Sequence, residues 1–389
     1  MTAQENRFAP DLSTLSRSEW LTALRRIGEE FGFAESLGKK HAGIFVEEGD
    51  TLLVSFESMG AIETLSDTRT PLGFDMVGTR GWSSLSLLSR GDTWFRDPEL
   101  YAFFDQLLDD GFFDEFERVI FYGAGPAGYA AGAYSVAAPG ARVMMLQPRA
   151  TLDPRMTEWD DRFTEMRRQS FTDRYGYAPD MIEAAQQGYV LFDPRDRLDA
   201  MHAALFARPN VARLRMPFMG TTLQADLRTL DLLPALLSAV AEDRLTTEHF
   251  AQLMRIRRDH PPYLRRLLAR LDAEGRKGLA RSLCRNVVAR MEAPASAAAS
   301  PSSKPRKTEP HLRFSGLQNT LGGARATCGG RAPSDAATGD ALPPSSPPQG
   351  PPRHRPSDAR EGTAPPSAAQ PRKPRRFGAR TSGAPPPAC

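Results

Sequence analysis

One stretch constrains this chain more than any other: Phe121-Tyr122-Gly123-Ala124-Gly125-Pro126-Ala127-Gly128-Tyr129-Ala130-Ala131. An apolar run from Arg118 to Tyr122 passes through glycines straight into a small-residue helix that reaches about Val136, and a second strand pattern follows from Arg142 to Gln147. A buried strand that turns sharply into a helix is the building unit of a parallel sheet. The flanking sequence repeats that alternation. Gly43 to Glu47 and Thr51 to Glu57 read as short strands across a Gly-Asp turn, Trp82 to Ser89 as another, and Pro98 to Leu108 as a helix. Gly188 to Phe192 and Val211 to Met216 read as later strands, with a helix from Arg197 to Phe206 between them. An amphipathic helix over 16–36, capped by Ser18, precedes the sheet. Helices from Leu223 to Met291 follow it, with Leu264, Leu267, Leu268 and Leu271 as an apolar stripe. The expectation is an α/β chain: a mostly parallel sheet with helices on both faces and extra C-terminal helices.

Two kinds of site use such a glycine turn. In a dinucleotide fingerprint, G-x-G-x-x-G lets a pyrophosphate approach the backbone at a helix N-terminus. Gly123, Gly125 and Gly128 fit it, and the Gly-Pro-Ala-Gly core resembles flavoprotein disulfide reductases, which implies FAD or NAD as an alternative cofactor. However, the following strand ends in Gln147, where an acidic residue would hold the ribose hydroxyls. The motif also comes after at least two strand-like segments. In the other site, a nucleophile elbow, G-x-S-x-G lifts a serine above the sheet. Gly125 then stands at the serine position, with Gly123 and Ala127 as the small flanking residues. Strands before the turn, an acidic strand end at Asp193 and a last strand before the terminal helices match the order of an α/β-hydrolase.

That elbow lacks the chemistry of a serine hydrolase, which needs a nucleophile, an oxyanion donor and a histidine. Gly125 has no side chain, and Pro126, at the donor position, has no N–H. The loop after the last strand, 217–222, contains Thr221 and no histidine. Asp193 remains as a triad acid without a partner. The expected catalytic set is therefore none, with Gly125, Pro126, Asp193 and Thr221 as degenerate positions. Ligands of parallel sheets bind beyond the strand C-termini, so the expected ligand-binding residues are Gly123, Gly125, Gly128, Gln147, Arg149, Trp159, Asp160, Arg162 and Asp196. Arg149 and Arg155 serve equally well as loop salt bridges, and His202 as a structural histidine.

Residues 293–389 hold 19 of the 33 prolines and 14 Lys+Arg against 5 Asp+Glu, leaving 36 against 42 in residues 1–292. The basic Pro/Ala/Arg-rich segment 292–389 is expected to be disordered; a frameshift in GC-rich DNA would give the same bias. It would bind polyanions nonspecifically, whereas the acidic remainder suggests no specific nucleic-acid partner. Cys284, Cys328 and Cys389 share no metal-ligand spacing, so no metal is expected. No run of about 20 apolar residues suggests a membrane span, and a cytoplasmic location is the default expectation. The organisation expected is a domain over 1–222, a helical region over 223–291 packed on it, and the tail.

The stretch from about Gly81 to Ala203, with the glycine turn and Thr151-Leu152-Asp153-Pro154-Arg155, is similar to a group of alphaproteobacterial proteins related to the α/β-hydrolases. Members of that group carry the name phosphoadenosine phosphosulfate reductase. That reaction needs a Ser-Gly-Gly-type phosphate loop and a cysteine near a glycine and a histidine, and Cys284, between Leu283 and Arg285, offers neither. The reading that results is a non-catalytic hydrolase-like protein that binds a small polar or acidic ligand, or a protein partner. Two others compete with it. One is an oxidoreductase, or a hydrolase with a relocated nucleophile at Ser83, Ser84 or Ser135. The other is an interaction protein docking through Tyr263, Leu267 and Leu271.

Overall fold

A computed structural model describes residue 8 and residues 10–296. Eight strands, β1 (Gly32–Leu37), β2 (His41–Val46), β3 (Thr51–Ser58), β4 (Ser83–Ser89), β5 (Arg118–Ala124), β6 (Arg142–Leu146), β7 (Gln187–Phe192) and β8 (Val211–Arg215), form one sheet in the order β1-β2-β4-β3-β5-β6-β7-β8. The β1–β2 and β2–β4 pairs are antiparallel and all others are parallel. The segments over 41–58 thus lie in the same sheet as the glycine turn. They do not form a hairpin across the Gly-Asp turn, because β4 inserts between β2 and β3. The crossover arises because β3 and β4 are buried on both faces and run as parallel neighbours, as βαβ connections require.

The helices are α1 (Arg17–Phe31), α2 (Met59–Leu65), α3 (Leu72–Arg80), α4 (Pro98–Asp109), α5 (Pro126–Tyr134), α6 (Pro154–Thr157), α7 (Ala178–Met181), α8 (Arg197–Leu205), α9 (Leu223–Thr229), α10 (Leu233–Ala241), α11 (Thr247–Leu253), α12 (Pro261–Ala273) and α13 (Lys277–Ser296). Helix α1 starts two residues earlier than Ser18 suggests: Ser16 caps it, and Ser16 and Glu19 form a reciprocal capping box. It ends at Phe31, because Gly32 is already extended and opens β1. Apart from the helix end at Ser296, the segment 292–389 lies outside the described residues, and so do its expected disorder and polyanion binding.

Strand alternation divides the core in two. On one face, Leu52, Val54, Phe56, Phe121, Val143 and Met145 pack with α4 and α5. On the other, Leu53, Ile120, Tyr122, Met144 and Leu146 pack with Leu223, Leu227, Leu233, Leu236 and Leu237 of α9 and α10. Residues 223–241 therefore complete one face of the sheet itself. Helix α5 is buried from Ala127 to Tyr134, which explains its small residues: a Cβ on Gly132 would stand 2.8 Å from Met145 Sδ. Among the described residues no helix is long and apolar enough to cross a membrane.

Candidate functional site

The turn between β5 and α5 places Gly125 at φ 58°, ψ −121°. That region of conformational space is strained for any residue with a side chain. It is the strained, exposed turn in which an elbow presents its nucleophile. Open space surrounds the position where a Gly125 Cβ would stand, whereas a Cβ on Gly123 would lie 2.0 Å from the Ala127 carbonyl oxygen. One on Gly128 would lie 3.2 Å from the carbonyl oxygens of Gly123 and Leu146. Gly123 and Gly128 are packing glycines, and Gly125 alone faces outward. Its N–H donates to Leu146 at 2.8 Å. Pro126 opens α5, so the first helical position has no N–H.

Asp193, just past β7, is buried and accepts hydrogen bonds from the Arg195 N–H at 2.9 Å and the Gly220 N–H at 2.6 Å. Gly220 lies in the loop after β8, where a triad histidine would stand. It has φ 73°, and a Cβ there would meet the Arg266 guanidinium carbon at 2.8 Å. Arg266 also donates to the Met219 carbonyl. The acid is thus bonded to a backbone amide, the Arg266 guanidinium packs against Gly220, and Thr221 is exposed to solvent.

Six of the residues expected to bind a ligand gather in one cluster beyond β6 and β7. Gln147 Nε2 donates to Asp199 Oδ2 at 2.6 Å, and Arg162 bonds Asp199 at 2.8 Å and Asp160 at 2.7 Å. Arg149 lies 3.4 Å from Asp199, and Asp196 lies 3.9 Å from Arg162. His202 Nε2 sits 2.9 Å from Asp160 Oδ2 while Nδ1 accepts the Ala150 N–H, and the Trp159 ring packs 4.6 Å from the imidazole. Burial lowers the His202 pKa despite Asp160, so the ring is neutral, with its proton on Nε2. Burial opposes ionisation of Asp160, but the bonds from His202 and Arg162 win and hold its carboxyl well below the usual range. These charges largely satisfy one another, Arg149 Nε being left without a partner. Arg155, by contrast, is an exposed loop salt bridge to Asp153.

A cavity of about 80 Å³ opens beside the elbow, lined by Ala124, Pro126 and Ala127 on one side and by Phe56, Glu57, Thr93, Trp94 and Phe95 on the other. A dinucleotide pyrophosphate does not fit so small a space. Glu57 is buried, and its Oε1 accepts from Ser55 Oγ at 3.1 Å and the Leu72 N–H at 3.0 Å. Burial pushes its pKa up to about 7, partly offset by the Leu72 amide and Arg228. Tyr122 Oη and Trp94 Nε1 are buried without hydrogen-bond partners. Trp94 and Phe95 both have φ 55°, outside the range that side-chain-bearing residues favour. Thr93 Oγ1 lies 2.7 Å from His41 Nε2, whose other nitrogen is 3.3 Å from Asp97 Oδ2. Sequence reasoning missed this wall. The signals available were Glu57 at the end of an otherwise apolar strand and His41 at the start of another.

Of the serines considered as relocated nucleophiles, Ser83 bonds the backbone of 48 and 49, Ser84 faces Ser86, and Ser135 donates to Gly132. None is given a histidine. Tyr263, Leu267 and Leu271 are half-buried on α12. Among the described residues no group of His, Cys, Asp and Glu is placed to hold a metal ion.

No protein-family model matches the chain, and no curated protein does. Among solved structures it is similar to the capsule O-acetyltransferase of Neisseria meningitidis serogroup A in complex with CoA (9% identity, 54% of this chain and 94% of that one, TM-score 0.37). It is similar also to EstE1, a thermophilic carboxylesterase from a metagenomic library (13%, 59% and 98%, TM-score 0.37), and to Est1E from Butyrivibrio proteoclasticus (12%, 54% and 98%, TM-score 0.35). The strand order, the antiparallel second strand and the Gly125 turn after the fifth strand are those of the α/β-hydrolase fold.

Proposed function

We propose that this chain is a non-catalytic α/β-hydrolase-fold protein that binds a small ligand at the carboxyl edge of its sheet. The observation that carries the reading is the pair Gly125-Pro126 in the nucleophile turn, which removes both the attacking group and the following N–H. Arg266 packed against Gly220, with Asp193 bonded to that glycine's amide, supports it. The proposal requires neither FAD nor NAD, and it assigns the ligand to the cavity beside the elbow rather than to the self-paired cluster around His202. A cytoplasmic location belongs to the same proposal. The test is Gly125→Ser. The variant should fold and should not cleave p-nitrophenyl acetate above background, since one restored group leaves the oxyanion donor and the base missing. Turnover by Gly125→Ser comparable to that of an esterase would sink the reading.

A second reading rests on Thr93, whose hydroxyl is hydrogen-bonded to His41 Nε2 at 2.7 Å, while Asp97 lies 3.3 Å from the other ring nitrogen without a hydrogen bond to it. In it the nucleophile is relocated to the opposite wall of the cavity. Burial lowers the His41 pKa against the pull of Asp97, so the ring is available as a base. Labelling of the wild type by a fluorophosphonate at Thr93 would favour this enzyme reading; no labelling favours the binding protein.

A further inference from the structure

The cavity beside the elbow has a charge preference that narrows its ligand. Glu57 and Asp92 are its charged lining residues, and no Lys or Arg lines it. Asp92 is exposed at the rim, while Glu57 is 5% exposed. Both hydrogen bonds that Glu57 receives go to Oε1, so Oε2 has no donor within the protein. Unlike Tyr122 Oη and Trp94 Nε1, this oxygen is not sealed from solvent, so an entering group can reach it. The groups that face Glu57 from the packed elements are Arg228 of α9, Asp75 of α3 and Tyr122 of β5, and Arg228 is engaged 3.4 Å from Asp75. An acidic ligand, one of the classes expected from sequence, would meet two carboxylates and no cation here.

We propose that this cavity receives the ammonium head of a small amine, with Glu57 as its counter-ion and the Phe56, Trp94 and Phe95 rings around it. The inference rests on the binding-protein reading and names the ligand class of that same site. A volume of about 80 Å³ is smaller than the roughly 150 Å³ cavity that holds benzene, so the head carries two or three carbons. A desolvated ammonium gains from both a carboxylate and aromatic walls. Because Glu57 titrates near 7, the carboxylate form that the amine needs prevails at pH 8 and is the minor form at pH 6.

The test is a calorimetric titration of the full chain with ethylammonium chloride, ethanol and sodium acetate. Ethylammonium should bind saturably at pH 8, at best near about millimolar for so few heavy atoms. Affinity should fall about tenfold at pH 6 and at least about tenfold in Glu57→Gln, since a charge-assisted contact is lost. Ala61→Leu, a substitution at a half-buried position on the cavity wall, should block binding without touching Glu57, which keeps the test decisive if Glu57→Gln misfolds. Acetate or ethanol binding that Ala61→Leu abolishes would overturn the ammonium assignment and leave the cavity as the ligand site. Ethylammonium binding unchanged in both variants, or no binding by any of the three, would overturn the inference. The silent elbow is judged separately by Gly125→Ser.

Discussion

Two polar regions sit at the carboxyl edge of the same sheet and are built on opposite principles. Around His202, carboxylates and guanidiniums crowd together, yet the carboxylates are all matched: Asp160 by His202 and Arg162, Asp199 by Gln147, Arg149 and Arg162, with Arg149 Nε left over. Around Glu57 there are fewer polar groups, and several are buried without a hydrogen-bond partner: Tyr122 Oη, Trp94 Nε1 and His41 Nδ1. A concentration of charge is therefore a poor guide to a binding site. Satisfied charges hold a loop; unsatisfied ones wait for something.

The comparison breaks most visibly at Asp160. Asp160→Ala leaves His202 without its acceptor and Arg162 with Asp199 and the more distant Asp196, and removing one member of a buried pair costs about 3–5 kcal/mol. The variant should lose several degrees in Tm by calorimetry. A shift within error would mean that the cluster is not the clamp described here and that its charges are free to serve a ligand.

The next effect has the opposite pH sign in the two regions. The Glu57 pKa is raised to about 7 from a usual value near 4.5. The folded state then holds its proton longer than the unfolded chain, so the stability it contributes is complete below about pH 4.5 and is lost as pH rises through 7. From pH 5 to pH 8 that loss is up to about 3 kcal/mol. His202 is lowered: the unfolded chain takes up a proton first as pH falls below about 6.5, and stability is lost on that side. Glu57→Gln should flatten the alkaline limb and raise Tm at pH 8 while leaving the acidic limb intact. An unchanged alkaline limb would show that Glu57 is not desolvated.

How much of this was legible in the sequence follows from the same contrast. The sheet was readable because apolar runs and glycine turns mark buried parallel strands, and Gly125 was readable because one motif fixes its backbone. β1 was not, since Gly32–Leu37 is half-exposed and follows a helix without a break; the position of β4 between β2 and β3 was not, since order is set by crossover packing and not by local pattern. Gln147, Arg149, Asp160 and Arg162 do come together in the structure, but whether such side chains meet a ligand or each other depends on Asp199 and His202, on α8. Glu57 carried a signal, a single acid closing the strand Leu52 to Phe56, but its burial depends on α3 and α9 covering that strand end.

A smaller effect tests the elbow itself. Gly125→Ala adds a Cβ into open space, so any cost comes from the backbone, at φ 58° and ψ −121°. Strain of that kind amounts to about 1–3 kcal/mol. The substitution should lower Tm by a few degrees and leave the fold intact, and a neutral outcome would indicate that the turn relaxes when strained.

The smallest expected effect separates two arginines that look alike in sequence. Arg149 and Arg155 flank the same short segment, and both were expected to serve as loop salt bridges or ligand contacts. Arg149 is 7% exposed, donates to the Gln147 carbonyl at 2.6 Å and lies over the Phe163 ring. Burial lowers its pKa in spite of Asp199. Arg155 has an exposed side chain, and its bond is to Asp153, two residues away. An exposed pair between near neighbours in sequence gains little, because water screens it and holding two side chains costs entropy. Asp153 keeps its own task without it, capping α6 through the residue 155 amide. Arg155→Ala should therefore move Tm by no more than about 2 °C, whereas Arg149→Ala should cost markedly more, leaving Asp199 with one guanidinium fewer in a buried site. Equal shifts for the two would erase the distinction between matched and solvated charge on which the assignment of the ligand to the Glu57 cavity depends.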